Sequence, residues 1–471
     1  MRRAVTTLVL GASLAAILSL SPTPRAGAQD SDAVTAQKLR DAALEDRFGY
    51  RFVETLTTTI GQRLAGTDAE TRASLLAEST LKAAGFTNVH RESFPITAWV
   101  RGREEADVTA PSPQHLVVAA LGGSVATPPE GIEAEIVVFP LYAQMLATAP
   151  GDLAGKIAVV TEAMPRVMDG GSYGAANPIR RRGPSEAAKR GAIAYLHRSL
   201  ATDNHRLAHA GATNYIDGMP RIPAAALSVP DAEQLARLAA RGPVRIKLVL
   251  TPTSDPNAQS WTVSGEVKGS QKPDEIVLIG AHLDSWDLGT GAIDDGAGDG
   301  IVLGAAHMIQ QMKTHPKRTL RVVFFGAEEM DYSGPAYAKM HADEVPHIVL
   351  AGESDFGARK VYTFLAPAAA AGTPFFQTLS DTLNPLGIFP TRTPSTQGGD
   401  DIVGLHAAGV PVISLRQNGL DYFDIHHTAD DTFDKIDPQE LAQATAAWTA
   451  MVYLALQTDL DFRKPAPDAQ R

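Results

Sequence analysis

Three apolar runs in the carboxyl-terminal half of the chain each end in histidine or acidic residues. They are "EIVLIGAH" (275–282), "LRVVFFGAEE" (320–329) and "HIVLAGESD" (347–355), and amphipathic sequences such as "GDGIVLGAAHMIQQMKTH" lie between them. Near-continuous apolar strands that alternate with amphipathic helices are typical of a largely parallel sheet covered by helices on both faces. The sequence therefore predicts an α/β fold with a mostly parallel mixed sheet.

Polar side chains follow each predicted strand at the same end. These residues are His282, Glu328, Glu329 and Asp355, together with Asp294 in the loop after the first strand and His427 after a fourth run, "VPVISLRQ". Ligands of open α/β sheets gather beyond the carboxyl ends of the strands. We therefore expect these side chains to lie together at one edge of one sheet.

Imidazole and carboxylate groups in this combination favour Zn²⁺, or less specifically Mn²⁺ or Co²⁺. Five ligands with one shared carboxylate are what a pair of metal ions about 3.5–4 Å apart requires. The stretch "GAHLDSWDLGTGAIDDGAG" crowds four aspartates beside His282, and like charges this close raise one another's pKa unless a cation lies between them. The sequence predicts two Zn²⁺ per chain, with Asp294 as the natural bridge.

The remaining acidic residues of these motifs have other predicted tasks. Asp284 lies two residues after a candidate ligand and suits the acceptor of the second imidazole N–H, the alternative being a turn aspartate. Asp287 and Asp295 are expected to shape the loop. Neighbouring side chains at a strand end diverge, so one of Glu328 and Glu329 is predicted to bind metal and the other to act as general base.

Residues 1–28 have the pattern of a secretory signal peptide. "MRR" precedes an apolar core, and "AGA" is a small-residue cleavage site before Gln29. A transmembrane anchor is the alternative, but the apolar run is short and ends in "SPTP". We expect an exported protein, periplasmic or secreted, without a membrane anchor after cleavage.

Charge and cysteine content exclude several classes of function. The formal charge is −11, and removal of three arginines with the leader makes it −14. An acidic chain without a basic block is a poor candidate for binding nucleic acid or an anionic membrane. The chain contains no cysteine, which excludes disulfides and a thiol nucleophile.

A segment of different texture separates two parts of the chain. Residues 111–250 contain short β-rich runs and two short helical sequences, "GPSEAAKRG" and "PDAEQLARLAARG", which predict an inserted β-rich α+β domain. The main domain then comprises residues 29–110 and 251–462, and residues 463–471 form a flexible tail. Within the insert, "RRRG" (180–183) favours a solvated loop over an anion site.

Several motifs together resemble the co-catalytic dinuclear zinc exopeptidases, most closely the carboxypeptidase Q branch. They are "HLDSWDLGTGAIDDGAG", "GAEEMDYSG", "ESDFG" and "HHTADDTFDKID", preceded by "IGQRLAGTDAETRA". The resemblance covers residues 39–462 and implies an exported exopeptidase that hydrolyses dipeptides or short peptides. The middle segment is similar to a protease-associated domain through "GDLAGKIAVV" and "SEAAKRGAIAYL".

The resemblance also implies a role for each site residue. His282 and Asp355 would hold one zinc, Glu329 and His427 the other, with Asp294 bridging, Glu328 as the base and Asp284 orienting His282. His427 is preferred to His426 because the family's histidine directly precedes threonine. The sequence "EEMDYSG" departs from the pattern common in aminopeptidases, so the substrate pocket is expected to differ.

Several alternatives stay open at this stage. An aminopeptidase would use the same ligands, a non-catalytic receptor would tolerate their loss, and an aminoacyl cyclase on this scaffold would need one metal. The "QGGDD" loop (397–401) and Tyr422 are candidates for the pocket wall or for ordinary packing. The inserted segment is predicted to cover the site and to limit access to short peptides. Alternatively, it could form the contacts of a homodimer.

Overall fold

A computed structural model of the chain describes residues 26–464. Residues 1–25 of the predicted signal peptide and residues 465–471 of the predicted tail lie outside this range. Within it, no helix is both long and apolar enough to cross a membrane. The α-helices are α1 (Ala26–Glu45), α2 (Phe48–Thr59), α3 (Asp68–Ala83), α4 (Tyr142–Leu146), α5 (Gly171–Arg181), α6 (Gly183–Lys189), α7 (Val229–Ala239), α8 (Ala297–Gln310), α9 (Ser333–Met340), α10 (Pro374–Leu383), α11 (Val403–Ala407), α12 (Tyr422–Ile425) and α13 (Pro438–Gln457).

The strands of the described range form three sheets. They are β1 (Thr87–Val100), β2 (Glu104–Ala110), β3 (Gln114–Leu116), β4 (Val118–Ala120), β5 (Ile132–Phe139), β6 (Ile157–Val160), β7 (Ala194–Arg198), β8 (Ala224–Leu227), β9 (Arg245–Leu250), β10 (Thr253–Val267), β11 (Lys272–His282), β12 (Arg318–Phe325), β13 (Ile348–Glu353), β14 (Val361–Leu365), β15 (Phe389–Pro390) and β16 (Ser414–Gln417). Their orders are β1-β10-β12-β11-β13, β15-β14-β16 and β3-β2-β9-β5-β6-β7-β8-β4.

The five-stranded sheet is covered by helices on both faces. Alternate residues of a strand point to opposite faces. Accordingly, Val277 and Ile279 join a core with α8 and α13, whereas Leu278 packs with Tyr337 of α9 and Leu405 of α11. Because both faces are covered, β12 is buried along its whole length. The mixed α/β fold predicted from the apolar runs is confirmed.

Two long strands give this sheet an antiparallel half that the sequence pattern hides. β11 pairs with β12 and with β13 in parallel, but β10 pairs antiparallel with both β12 and β1. The first half of β10, "TSDPNAQ", is polar and mostly exposed, so it lacks the apolar signal of a buried strand. The apolar run "VPVISLRQ" also differs from expectation. Its strand β16 belongs to the three-stranded sheet, and the residues just before β16 meet β13 through a bridge between Val412 and Ala351.

The eight-stranded sheet is formed by residues 104–250 and has its own apolar core. The β-rich runs of the insert become strands β3 to β7 and β9, and its two helical sequences become α6 and α7. The core of this sheet includes Ile157, Val159, Leu196, Ile246 and Leu248. Strand β2 already starts at Glu104, ahead of the boundary predicted at residue 111.

The ends of α3 are fixed by residues suited to those positions. The Thr67 hydroxyl accepts the backbone N–H of Glu70 and caps α3. Gly85 follows the last turn with a φ of +85°, in the left-handed region that suits glycine after a helix. The two helices before it, α1 and α2, are separated at residues 46–47.

Candidate metal centre

The carboxyl ends of three neighbouring strands carry the candidate ligands. His282 is the last residue of β11, Glu328 and Glu329 follow β12, and Asp355 follows β13. β11 lies between β12 and β13 and runs parallel to both, so these ends meet at one edge of the sheet. The loop after β11 brings Asp294 to the same edge.

The two oxygens of the Asp294 carboxylate face two different histidines. Oδ1 lies 3.1 Å from His282 Nε2, and Oδ2 lies 3.0 Å from His427 Nε2. Asp355 Oδ1 is 3.5 Å from the same nitrogen of His282, and Glu329 Oε2 is 3.0 Å from that of His427. The five residues therefore form two groups of ligand atoms that share one carboxylate.

Unsatisfied polar atoms indicate that these groups suit cations. Asp294 Oδ2 and Glu329 Oε1 are buried without a hydrogen-bond partner. Although Asp294 Oδ2 and His427 Nε2 lie close, their contact lacks hydrogen-bond geometry. Buried carboxylate oxygens normally have partners, and histidine with carboxylate is a donor set that binds zinc. The residues present therefore fit a pair of divalent metal ions.

The shifted pKa values of these groups indicate how protons balance the charges of the site when no metal is bound. Burial alone would lower the pKa of His427, but Glu329 and Asp294 raise it to about 9. Burial likewise opposes the charged form of His282, yet the surrounding carboxylates hold its pKa well above the usual value. Burial raises the pKa of Asp355 to about 6. Protons on the histidines therefore compensate the carboxylates in the metal-free protein, and a bound metal would displace them.

The affinity for zinc is expected to rise with pH up to about 9. Below that value His427 of the metal-free protein is protonated, and a ligand histidine must be neutral, so binding releases at least one proton. Each pH unit between 6 and 9 then raises the apparent affinity by about tenfold or more. Competition with a chromophoric chelator at several pH values measures this slope. An affinity independent of pH in this range would contradict the assignment of His427.

Asp284 contacts both His282 and the backbone of Glu328. Its backbone carbonyl oxygen lies 3.1 Å from His282 Nδ1, nearer than its carboxylate Oδ1 at 3.5 Å. The carboxylate Oδ1 also accepts the Glu328 N–H at 3.1 Å. Asp284 therefore contacts the imidazole mainly through its backbone carbonyl, and its carboxylate holds the backbone of the residue predicted to be the base.

Glu328 lies beside the candidate ligands with its carboxylate partly open to the cavity. Its Oε2 is 3.9 Å from His282 Nε2, and the side chain is 13% exposed. Burial, reinforced by Asp355 and Glu329, raises the pKa of Glu328 well above its usual range. A raised pKa makes this carboxylate a stronger base, which suits a residue that accepts a proton from water.

The loops that carry Asp294 are held by two residues to which sequence analysis gave no role. Asp431 accepts three successive backbone N–H groups, those of Ala292, Ile293 and Asp294, at 2.6–3.2 Å. Arg63 is fully buried and donates to the carbonyls of Leu283, Thr290 and Gly291. Asp431 lies in the motif "HHTADDT" and Arg63 in "IGQRLAG". Membership in these motifs was the sequence signal that could have pointed to both residues.

Arg63→Met is expected to destabilise the folded protein by at least about 2 kcal/mol. The substitution removes the Arg63 donors of the Leu283 and Thr290 carbonyls, each costing about 1–3 kcal/mol, whereas the Gly291 carbonyl still accepts the Gly296 N–H. Urea unfolding of the metal-loaded protein measures the change. Arg51→Met, on the exposed face of α2, is the matched control and should stay within about 0.5 kcal/mol. A similar small change for Arg63→Met would contradict this role.

The two neighbouring histidines differ in their place at the site. The His426 ring stacks on His427 at 3.5 Å, and its Nε2 lies 3.4 Å from Asp294 Oδ2. His427 is closer to Asp294 and alone lies near Glu329. It also has a φ of +61°, a conformation that a non-glycine residue keeps only where its surroundings enforce it. These contacts favour His427 as the ligand; His426 lines the cavity, and its ligand atom also lies within reach of a metal held by Asp294 and His427.

The insert contributes directly to the site. Ala210 donates its N–H to the His427 carbonyl at 2.9 Å, and the Ala210 carbonyl lies 3.3 Å from His427 Nδ1. Helix α5 also lines the cavity above the candidate ligands. The expectation of a solvated "RRRG" loop is therefore wrong, because Arg180 and Arg181 belong to α5 and Arg180 is buried in this cavity.

Other expectations for the site loops have mixed outcomes. Tyr422 lines the cavity, and so does Asp400 of the "QGGDD" loop. Both therefore belong to the pocket wall, which was one of the two interpretations, the other being ordinary packing. Asp287 forms a two-point ion pair with Arg101, and Asp295 accepts the N–H of His282. These last two aspartates shape the loop, as predicted.

Comparison with solved structures agrees with this architecture. The crystal structure of a peptidase M28 precursor from Shewanella amazonensis SB2B is similar, with a TM-score of 0.90 and 42% identity over 93% of this chain and 99% of that chain. The mixed α/β fold is shared with this peptidase, and in the present chain histidine and carboxylate groups gather at the strand ends, as a metallopeptidase requires.

Sequence comparison identifies the family. The model of peptidase family M28 matches residues 262–452. Carboxypeptidase Q of Bos taurus is 35% identical over 407 residues, which is 86% of this chain and 84% of the relative. Aminopeptidase YwaD of Bacillus subtilis is 25% identical over 97% of this chain and 94% of its own length. The chain belongs to peptidase family M28.

Proposed function

We propose that the protein is an exported, zinc-dependent exopeptidase that hydrolyses dipeptides or short peptides. The observation that supports this most is the Asp294 carboxylate, whose two oxygens face His282 and His427 separately. Two Zn²⁺ per chain would be held by His282 with Asp355 and by His427 with Glu329, and Asp294 would bridge them. The predicted signal peptide, residues 1–28, supports export.

The protein side chains supply the proton transfers. Two bound zinc ions provide Lewis acidity, which polarises a carbonyl group and lowers the pKa of water toward about 7. Glu328 accepts the proton of the attacking water and returns it to the leaving amine. Asp284 keeps Glu328 in place through the N–H that its carboxylate accepts. The Ala210 carbonyl, 3.3 Å from His427 Nδ1, favours the tautomer with Nε2 free for a metal.

The inserted segment supports a preference for short substrates. Its helix α5 and the region around Ala210 cover one side of the cavity. We assign residues 111–250 to a protease-associated-like domain that limits access to small peptides. The main domain would then comprise residues 29–110 and 251–462.

Exopeptidase direction is tested by blocking each end of a dipeptide. Similarity to carboxypeptidase Q supports cleavage that needs a free carboxyl end, whereas similarity to an aminopeptidase supports the second candidate. The zinc-loaded protein is expected to cleave an unblocked dipeptide and to lose most of that rate with the N-acetylated or C-amidated form. A chelator should abolish all cleavage. Undiminished cleavage of the amide would identify an aminopeptidase, and no cleavage of any form would contradict the proposed function.

A further inference from the structure

The side chain of Arg180 reaches from the insert into the candidate active site. Arg180 belongs to α5, is only 3% exposed, and lines the same cavity as Asp294, Glu328 and Glu329. Its Nη1 lies 3.5 Å from Nδ1 of His427. A fixed positive charge thus stands beside one of the proposed metal ligands, on the side of the His427 ring that carries Nδ1.

This guanidinium lacks a partner of opposite charge. Within residues 26–464, no ion pair joins Arg180 to a carboxylate, and its Nε is buried without any hydrogen bond. The Nη1 contact to the Ala210 carbonyl is long, at 3.5 Å. A buried charge without a partner is costly, so the arrangement suits a group that binds an anion when substrate arrives.

The surrounding backbone and side chains fix the position of the guanidinium. Gly211 has a φ of +131°, and a Cβ at this residue would lie 2.0 Å from Arg180 Nη1. The ring of Tyr173, a residue of the same helix α5, lies 5.3 Å from Arg180 Cζ. Glycine therefore allows the backbone to pack closely against Arg180, which keeps the side chain in the cavity.

The neighbouring arginines are engaged elsewhere. Arg181 also lines the cavity, but it forms an ion pair with Asp331 and its side chain is 25% exposed. Arg182 is exposed to solvent. Of the three, Arg180 is the one whose charge is both buried and available.

From these contacts we infer that Arg180 binds the free α-carboxylate of the substrate residue that follows the scissile bond. A guanidinium matches a carboxylate through two parallel hydrogen bonds. An extended residue spans only about 3.3–3.6 Å, so a carboxylate held beside His427 belongs to the residue directly after that bond. The inference rests on the proposed function and narrows it to dipeptides and peptides that lose their last residue.

The test compares an unblocked dipeptide with its C-amidated form, using zinc-loaded protein. Arg180→Met is expected to lower kcat/KM for the unblocked dipeptide by about 10²-fold, mainly by raising KM. The kcat/KM for the C-amidated dipeptide should stay unchanged. The preference for the free acid should therefore nearly vanish. Arg182→Met, two residues further on and exposed, should keep the wild-type preference. An Arg180→Met protein that retains this preference would overturn the inference.

A binding measurement separates recognition from turnover. In the Glu328→Gln background, the calorimetric Kd of the intact dipeptide should rise by about 10²-fold on addition of Arg180→Met. An unchanged Kd would count against the inference. Should Arg180→Met fail to fold, Arg180→Lys keeps the charge but not the two-point geometry, and a loss of about tenfold is expected. Wild-type behaviour of Arg180→Lys would then overturn two-point binding.

Failure of this inference can be told apart from failure of the proposed function. If the wild-type protein with zinc cleaves neither form of the dipeptide, the proposed function fails. If it cleaves the acid and the amide equally well, the exopeptidase proposal stands and the carboxylate-binding role of Arg180 fails alone.

Discussion

Replacing Asp294 by asparagine is expected to abolish both zinc binding and activity. The two carboxylate oxygens of Asp294 face His282 and His427 at 3.1 and 3.0 Å, so one substitution weakens both ligand groups. An amide is a poorer zinc ligand and carries no charge, so kcat/KM should fall by at least about 10³-fold. Metal analysis after dialysis should find less than one zinc per chain.

The control for this substitution lies on β11, the strand that precedes the Asp294 loop. Asp274→Asn changes an exposed aspartate near the other end of β11 and should leave zinc content and activity at wild-type values. Retention of two zinc ions and full activity by Asp294→Asn would show that the carboxylate does not bridge the metals.

The second large effect is expected from Glu328→Gln, which should remove activity without removing metal. The glutamine cannot accept a proton from water, and the loss of a general base lowers kcat by about 10²–10⁴-fold. Zinc content and the Kd for an unblocked dipeptide should change little, because Glu328 is assigned to no zinc ion. Steady-state kinetics and metal analysis of the same sample measure both quantities.

The adjacent residue offers a direct comparison. Glu329→Gln alters a carboxylate whose Oε2 lies 3.0 Å from His427 Nε2, so this variant should lose zinc as well as activity. If Glu328→Gln lost the metal and Glu329→Gln kept it, the two roles would have to be exchanged.

Sequence reasoning identified the edge of the sheet where the site lies, for a definable physical reason. Buried parallel strands need continuous apolar runs, and the first polar residues after such runs mark the strand ends. That rule located His282, Asp355 and the pair Glu328 and Glu329, whereas the choice of Glu329 as the ligand came from the family resemblance. The same rule failed for β10, whose polar first half carries no apolar run.

Contacts between distant segments were beyond this reasoning. Arg180 and Ala210 approach His427 from a sheet formed by residues 104–250, and no local pattern in either segment encodes that approach. Arg63 and Asp431 hold backbone groups rather than ligand side chains, so their chemistry gave no sign of metal binding. Local pattern indicated the candidate ligands, whereas the contacts that support them depend on tertiary packing.

The most direct test of the central claim is a zinc titration of the metal-free protein with an unblocked dipeptide as substrate. The two ligand groups that share Asp294 predict that two zinc ions bind per chain and that full activity requires both. Saturation of both binding and activity at one zinc per chain, or activity that persists in a chelator, would contradict a dinuclear centre.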